Sequence, residues 1–175
     1  MKQGQMAFPF VGVQLKDGRS YFQVEVQGKI IKQNVWDGKQ LWNTNFMTMK
    51  AELADAETTA NHKLSLNDFP DPLLGYKQKG YKVELLGEET KDGAAVYKLK
   101  VVKEPMMVDG KSVDDVSYQY FDKEALVPLV QESEIKAGPA KGMMGQTKMS
   151  EYQEVDGLMF PFAMSQGVKD GQSAP

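Results

Sequence analysis

One histidine, no cysteine and scattered carboxylates limit the chemistry open to this chain of 175 residues. Without cysteine there is no disulfide framework, no thiolate zinc site and no cysteine nucleophile. His62 is the sole imidazole, so a site built from several histidines is excluded and a Ser-His-Asp triad would have to use this residue. Catalysis there would also need a nucleophile and an orienting carboxylate from elsewhere. No Gly-x-Ser-x-Gly elbow is present, and His62 reads as a solvated loop histidine. Glu88-Glu89 and Asp114-Asp115 lie at or near strands, where neighbouring side chains point to opposite faces, so they read as solvated rather than as an acid–base pair. Gly138-Pro139-Ala140-Lys141-Gly142 lacks the Walker spacing and reads as a turn. The expectation is a protein that is not an enzyme and needs no cofactor or metal.

The aromatic and methionine residues say more. Trp36 and Trp42 flank the Asp37-Gly38 pair, and Tyr118 and Tyr120 share a strand face. Methionine is over-used, with 11 copies, nine of them clustered at 47 and 49, 106 and 107, 143, 144 and 149, and 159 and 164. Its flexible, polarisable side chain suits surfaces that accept varied apolar partners; any one of these residues more often fills a core, and it is the set as a whole that points to a ligand.

The elements that would carry them are mostly strands. Asp-Gly occurs at 17-18, 37-38, 92-93, 109-110, 156-157 and 170-171. Both residue types tolerate the positive φ of a tight type I′ hairpin turn. Between these pairs the sequence alternates: Phe22, Val24 and Val26 share one face, as do Tyr97, Leu99 and Val101, and Leu158, Phe160, Phe162 and Met164. The pattern predicts strands over 4–15, 19–27, 29–36, 39–43, 80–89, 94–103, 113–122, 126–136, 143–154 and 158–166. Two short helices interrupt them. Met49, Leu53, Ala56 and Ala60 form a thin helical stripe within 48–60. Asp71-Pro72 opens a second helix over 73–79 that ends at Gly80.

A sheet of about ten strands must close or curl to manage its edges. The expected fold is mainly β (α+β): an incomplete, strongly curved antiparallel β-barrel with the two short helices as a lid over its mouth. Two weakly apolar helices fill little of such a barrel, which leaves volume for a ligand. The whole chain, 1–175, reads as one domain with a polar tail from 166. The net charge of −3 comes from 21 basic and 24 acidic residues without a basic block, so no nucleic-acid partner is expected. The apolar runs fall far short of the ~20 residues of a membrane span. The first six residues contain no apolar signal-peptide core.

The stretch from Phe69-Pro70-Asp71-Pro72-Leu73-Leu74-Gly75-Tyr76 through Gly80-Tyr81-Lys82-Val83-Glu84-Leu85 to Glu88-Glu89 resembles the outer-membrane lipoprotein-sorting (LolA-like) family, an uncharacterised branch of it. So do Asp92-Gly93-Ala94-Ala95-Val96-Tyr97, Tyr120-Phe121-Asp122-Lys123-Glu124, and Tyr152 to Phe162 with its Gly157-Leu158-Met159-Phe160-Pro161 core. The blocks follow the family's order across about residues 20–166. The resemblance implies an incomplete β-barrel with a helical lid over an apolar cavity, and a periplasmic carrier that shields lipoprotein acyl chains on the way to the outer membrane. It also implies relatives that sense envelope lipoproteins or lipids. Family members begin with a signal peptide and an N-terminal helix, so a trimmed N-terminus is expected here. The single arginine, Arg19, lies in the Asp17-Gly18 turn and is not matched to the carriers' functional arginine.

The combined reading is a non-enzymatic binding or carrier domain for lipid, acyl chains or lipoproteins in the periplasm or cell envelope. Envelope proteins are possible further partners. The other reading is an envelope sensor or protein-docking module of the same fold with no bound lipid. Candidate lipid contacts are Phe22, Val24, Trp36, Trp42, Leu53, Tyr118, Tyr120, Phe160 and Phe162. Period two gives each strand two faces, and the sequence leaves open which is concave.

Overall fold

A computed structural model describes residues 8–171 of the chain. The beginning of the first expected strand and the end of the polar tail lie outside the described residues. The chain divides into two compact units, 1–69 and 70–175.

The first unit holds a five-stranded antiparallel sheet in sequence order: β1 (Phe10–Gln14), β2 (Ser20–Val26), β3 (Lys29–Trp36), β4 (Leu41–Thr44) and β5 (Ala51–Leu53). One helix, α1 (Ala56–Ser65), follows and runs into a single 3-10 turn, Leu66–Asp68. The second unit holds a six-stranded antiparallel sheet of β6 (Lys82–Lys91), β7 (Ala94–Val102), β10 (Val116–Asp122), β11 (Pro128–Glu134), β12 (Met144–Val155) and β13 (Leu158–Val168). Its order is β13-β12-β11-β10-β7-β6, with β13 and β6 at the edges. A separate two-stranded ribbon pairs β8 (Met106–Val108) with β9 (Lys111–Val113).

All ten expected strands are present, together with β5, β8 and β9. Four hairpins close on turns with positive φ at both central residues, as type I′ requires. Three use the expected pairs: Asp92-Gly93, Asp109-Gly110 and Asp156-Gly157. Gln27-Gly28 makes the fourth without an aspartate. Gly93 has φ +87, and a Cβ added there would touch nothing within 4 Å. Gly93→Ala is therefore expected to lower stability by about 1 kcal/mol through backbone strain alone. A urea midpoint unchanged from the parent would contradict this.

The sheets are open, and the strands do not form one ten-stranded barrel sheet. The helices also differ from expectation. Residues 48–53 turn and pair instead of coiling: the Asn45 side-chain oxygen accepts from the Met47 and Thr48 N–H groups, at 2.8 and 3.1 Å. Ala51–Leu53 then pairs back on Leu41–Thr44. The helix begins only after Asp55, whose carboxylate accepts from the Thr58 N–H at 2.7 Å. That cap outweighs the weak stripe, so Ala56 and Ala60 are helical while Met49 and Leu53 are not. Residues 73–79 form successive turns rather than a helix. Asp71 does accept from the Leu73 N–H at 2.7 Å, but Gly75 takes φ +65 and breaks the helical path. Gly80 has the expected positive φ. The tail expected from residue 166 is strand as far as Val168.

The core of the second unit is small. Val96, Tyr120 and Val130 are buried together, with Ala94, Tyr118 and Leu129 packed against them. In the first unit Ile31, Trp36 and Leu41 are buried.

Candidate functional site

In antiparallel pairs, directly opposed residues share a face, so the register sorts the candidate residues. In the first unit Phe22 lies opposite Gly12 and Gln33, and Val24 opposite Phe10 and Ile31. The pairing of β2 with β3 slips by one residue at Asn34, where φ is +50. This bulge returns Trp36, opposite Ser20, to the same face as Phe22 and Val24. Phe10 and Phe22 stack with ring centroids 5.5 Å apart. Trp36 meets the His62 ring of α1 at 5.3 Å. Trp42 lies opposite Leu53 and Val35, on the other face of the sheet. Its indole Nε1 donates to Asp37 Oδ2 at 3.3 Å. Phe22, Val24 and Trp36 are thus brought together, and Trp42 and Leu53 form a separate pair.

His62 is not the solvated loop residue expected. It sits on α1, and its Nε2 is buried without a hydrogen-bond partner. Burial pushes its pKa below the usual imidazole value.

The second unit separates its candidates in the same way. Tyr118 and Tyr120 lie opposite Glu132 and Val130 on β11, and opposite Lys100 and Lys98 on β7. We call this the tyrosine face. Tyr120 is 2% exposed, and its hydroxyl donates to Glu132 Oε2 at 2.8 Å. Glu132 is itself buried and holds three further donors: Lys91 Nζ at 2.6 Å, Gln146 Nε2 at 2.9 Å and Lys169 Nζ at 3.0 Å. Burial pushes the Glu132 carboxyl up, and the hydrogen bonds from Lys91, Tyr120, Lys169 and Gln146 outweigh it, holding the pKa at about 2. Burial and the adjacent carboxylate raise the Tyr120 hydroxyl well above the usual phenol range. The cluster joins β6, β10, β11, β12 and the turn after β13. It is a closed structural network rather than an open site. Glu132 is not among the residues expected at a site, although its spacing of two from Val130 places a charge at a core-facing position.

Phe160 and Phe162 point the other way. Their face alternates with that of Pro161 and Ala163 along β13, and Phe160 lies opposite Gln153. On this phenylalanine face Val155 opposes Leu158, and Met149 opposes Met164. Leu158, Phe160, Phe162 and Met164 are exposed at 63, 46, 51 and 46%. Four consecutive outward positions of one strand therefore form an apolar stripe about 20 Å long. Two cross-strand rows continue the same face: Gln131–Thr147–Gln166, then Ser133–Gly145–Val168. They floor a cavity of about 400 Å³. Gly145 leaves room for Ile135, which a Cβ would meet at 3.0 Å. Stripe and cavity together make an elongated surface, apolar at one end and hydrogen-bonding at the other. Phe160 and Phe162 are legible in the sequence but the polar rows are not, because isolated Gln and Thr residues on strands carry no signal until the register aligns them.

Among the described residues no group of three or more His, Asp or Glu could hold a metal ion, and no helix is long and apolar enough to cross a membrane.

No protein-family model matches the chain, and no curated protein sequence does. Solved structures do match. One is a domain assigned to outer-membrane lipoprotein sorting from Vibrio parahaemolyticus, with TM-score 0.51 and 11% identity over 93% of this chain and 70% of that one. The second is a LolA superfamily protein from Nitrosomonas europaea, with TM-score 0.51 and 12% identity over 96% of this chain and 72% of that one. The fold is LolA-like. A DUF1329 family protein from Desulfovibrio piger matches it equally, with TM-score 0.51 and 17% identity over 92% of this chain and 70% of that one. At these identities the likeness is one of LolA-like architecture, and the side chains of the stripe and cavity are this chain's own.

Proposed function

We propose that the whole chain acts as one LolA-like domain, a non-enzymatic binding or carrier protein for lipid, acyl chains or lipoproteins in the periplasm or cell envelope. The observation that carries this reading is the apolar stripe Leu158, Phe160, Phe162 and Met164, left open to solvent along β13. An acyl chain laid there gains about 0.8 kcal/mol for each CH₂ taken out of water. The lipoprotein-sorting domain among the similar structures supports the choice of cargo by analogy of fold. In the first unit Phe22 and Val24 form a second candidate contact set, on the face where Trp36 is buried against His62, with Trp42 and Leu53 on the reverse face.

The exposure of the stripe also favours a second reading, an envelope sensor or docking module of the same fold that meets a protein partner and carries no lipid. Native mass spectrometry of the gently purified protein, followed by solvent extraction, separates the two. The carrier reading expects adducts with the mass of fatty acid, phospholipid or acylated peptide. A bare protein that also retains no added lauroyl probe would overturn it and leave the docking module.

A further inference from the structure

We propose that His62 is an acid-sensitive latch: when its imidazole takes up a proton, α1 leaves the sheet of the first unit and uncovers Trp36 beside Phe22 and Val24. This response belongs to the first unit alone and does not depend on what the protein carries.

The helix is fastened lightly. None of the residues of α1 is buried, and a helix of 10 residues is marginal on its own in water. It packs on β4 and reaches β3 through His62, whose ring meets Trp36 at 5.3 Å. Lys63 also lies over the Trp36 ring, with Nζ 5.9 Å from its centroid. Trp36 is buried, as is Leu41 opposite it on β4, and α1 supplies part of the cover on this face.

The weak point is His62 Nε2, which is buried and has no hydrogen-bond partner. A neutral imidazole leaves that nitrogen bare at modest cost. A cation would bury a charge and an N–H with no acceptor, which costs far more. No neighbouring group compensates. β4 carries no titratable side chain. On β3, Lys29 and Lys32 sit toward the other end, Lys32 over the Tyr21 ring at 4.7 Å. Lys63 is the adjacent charge and has the same sign. Glu57 lies on another side of α1, about 140° round the helix, and Asp68 follows in the 3-10 turn. Asp55 accepts from Thr58, Asp37 from Lys39 and Gln40, and Asp17 pairs with Arg19. Burial alone therefore acts on the His62 proton, and it lowers the pKa from 6.5. The C-terminal end of α1 favours a cation whether or not the helix is docked, so it does not hold α1 in place. Docking is at full strength above 6.5 and weakens as pH falls below that value.

The test is hydrogen exchange of the whole protein, read by mass spectrometry and corrected for the intrinsic effect of pH on exchange. Between about pH 7.5 and about pH 5, peptides covering α1 are expected to lose protection at least about tenfold, with a midpoint below 6.5. Peptides from β10 and β11 are expected to keep theirs, because Glu132 titrates only below this range. His62→Phe keeps a ring against Trp36 and removes the proton site, so its α1 protection is expected to be flat with pH. In Trp42→Phe protein, acrylamide quenching of Trp36 is expected to rise over the same range as α1 protection falls. Parental α1 protection that does not change with pH overturns the latch. So does a His62→Phe variant that loses protection as the parent does. Loss in α1 and β10 together would mean that the whole protein weakens in acid, which also overturns it.

Discussion

Glu132→Ala is expected to cost about 3–5 kcal/mol of stability, because it leaves two lysines and a tyrosine hydroxyl without the buried acceptor they share. A domain of this size commonly has about 5–15 kcal/mol in all, so the urea midpoint should fall steeply. The effect is large because the Glu132 side chain is only 3% exposed and Lys91 is 15% exposed, so water cannot readily replace the lost partner. Lys169 is one-third exposed and can turn outward, so Lys169→Met is expected to cost much less. The same cluster sets an acid limit. The Glu132 pKa is depressed from 4.5 to about 2, so its contribution is fully present above the ordinary carboxylate range. It is lost as pH falls from about 4.5 through about 2. The gap in urea midpoint between the parent and Glu132→Gln should therefore narrow over that window. A gap that stays constant down to the lowest pH, or an alanine variant within 1 kcal/mol of the parent, would show that the network does not hold the sheet.

Phe160→Ser combined with Phe162→Ser is expected to weaken lauroyl-probe binding roughly 30-fold, about 2 kcal/mol. The figure follows from burying the exposed half of each ring under a ligand. Both side chains already face solvent, so the urea midpoint should barely move. This separation of binding from stability distinguishes an open binding stripe from packed core. Tyr118→Ser, on the opposite face, serves as the control and should leave probe affinity unchanged. A double variant that binds as the parent does would remove the stripe from the ligand path. One that unfolds instead would mean that the two rings are core.

Local chemistry made much of the β architecture readable. Asp-Gly pairs accept positive φ at low cost, so three hairpins could be placed to the residue, and period-two alternation marked every long strand. What failed was also local. The stripe through Met49, Leu53, Ala56 and Ala60 is weak, and neither it nor the Asp71-Pro72 start could compete with the Asn45 turn, the Asp55 cap and the break at Gly75. Alternation assigns residues to one of two faces but does not say which face of one strand continues that of the next. Pairing decides this, and a single bulge at Asn34 moves Trp36 onto the face of Phe22. Hence Tyr120 and Phe162, both aromatic residues on alternating strands, end in opposite roles: one buried against Glu132, the other open to solvent. Local preferences set the hairpins and the alternation of side chains along them. Strand order and register, which arise only on folding, ring Glu132 with donors and put a glutamine and threonine row at the end of an apolar stripe. Those contacts join residues far apart in the chain, and no local preference encodes them.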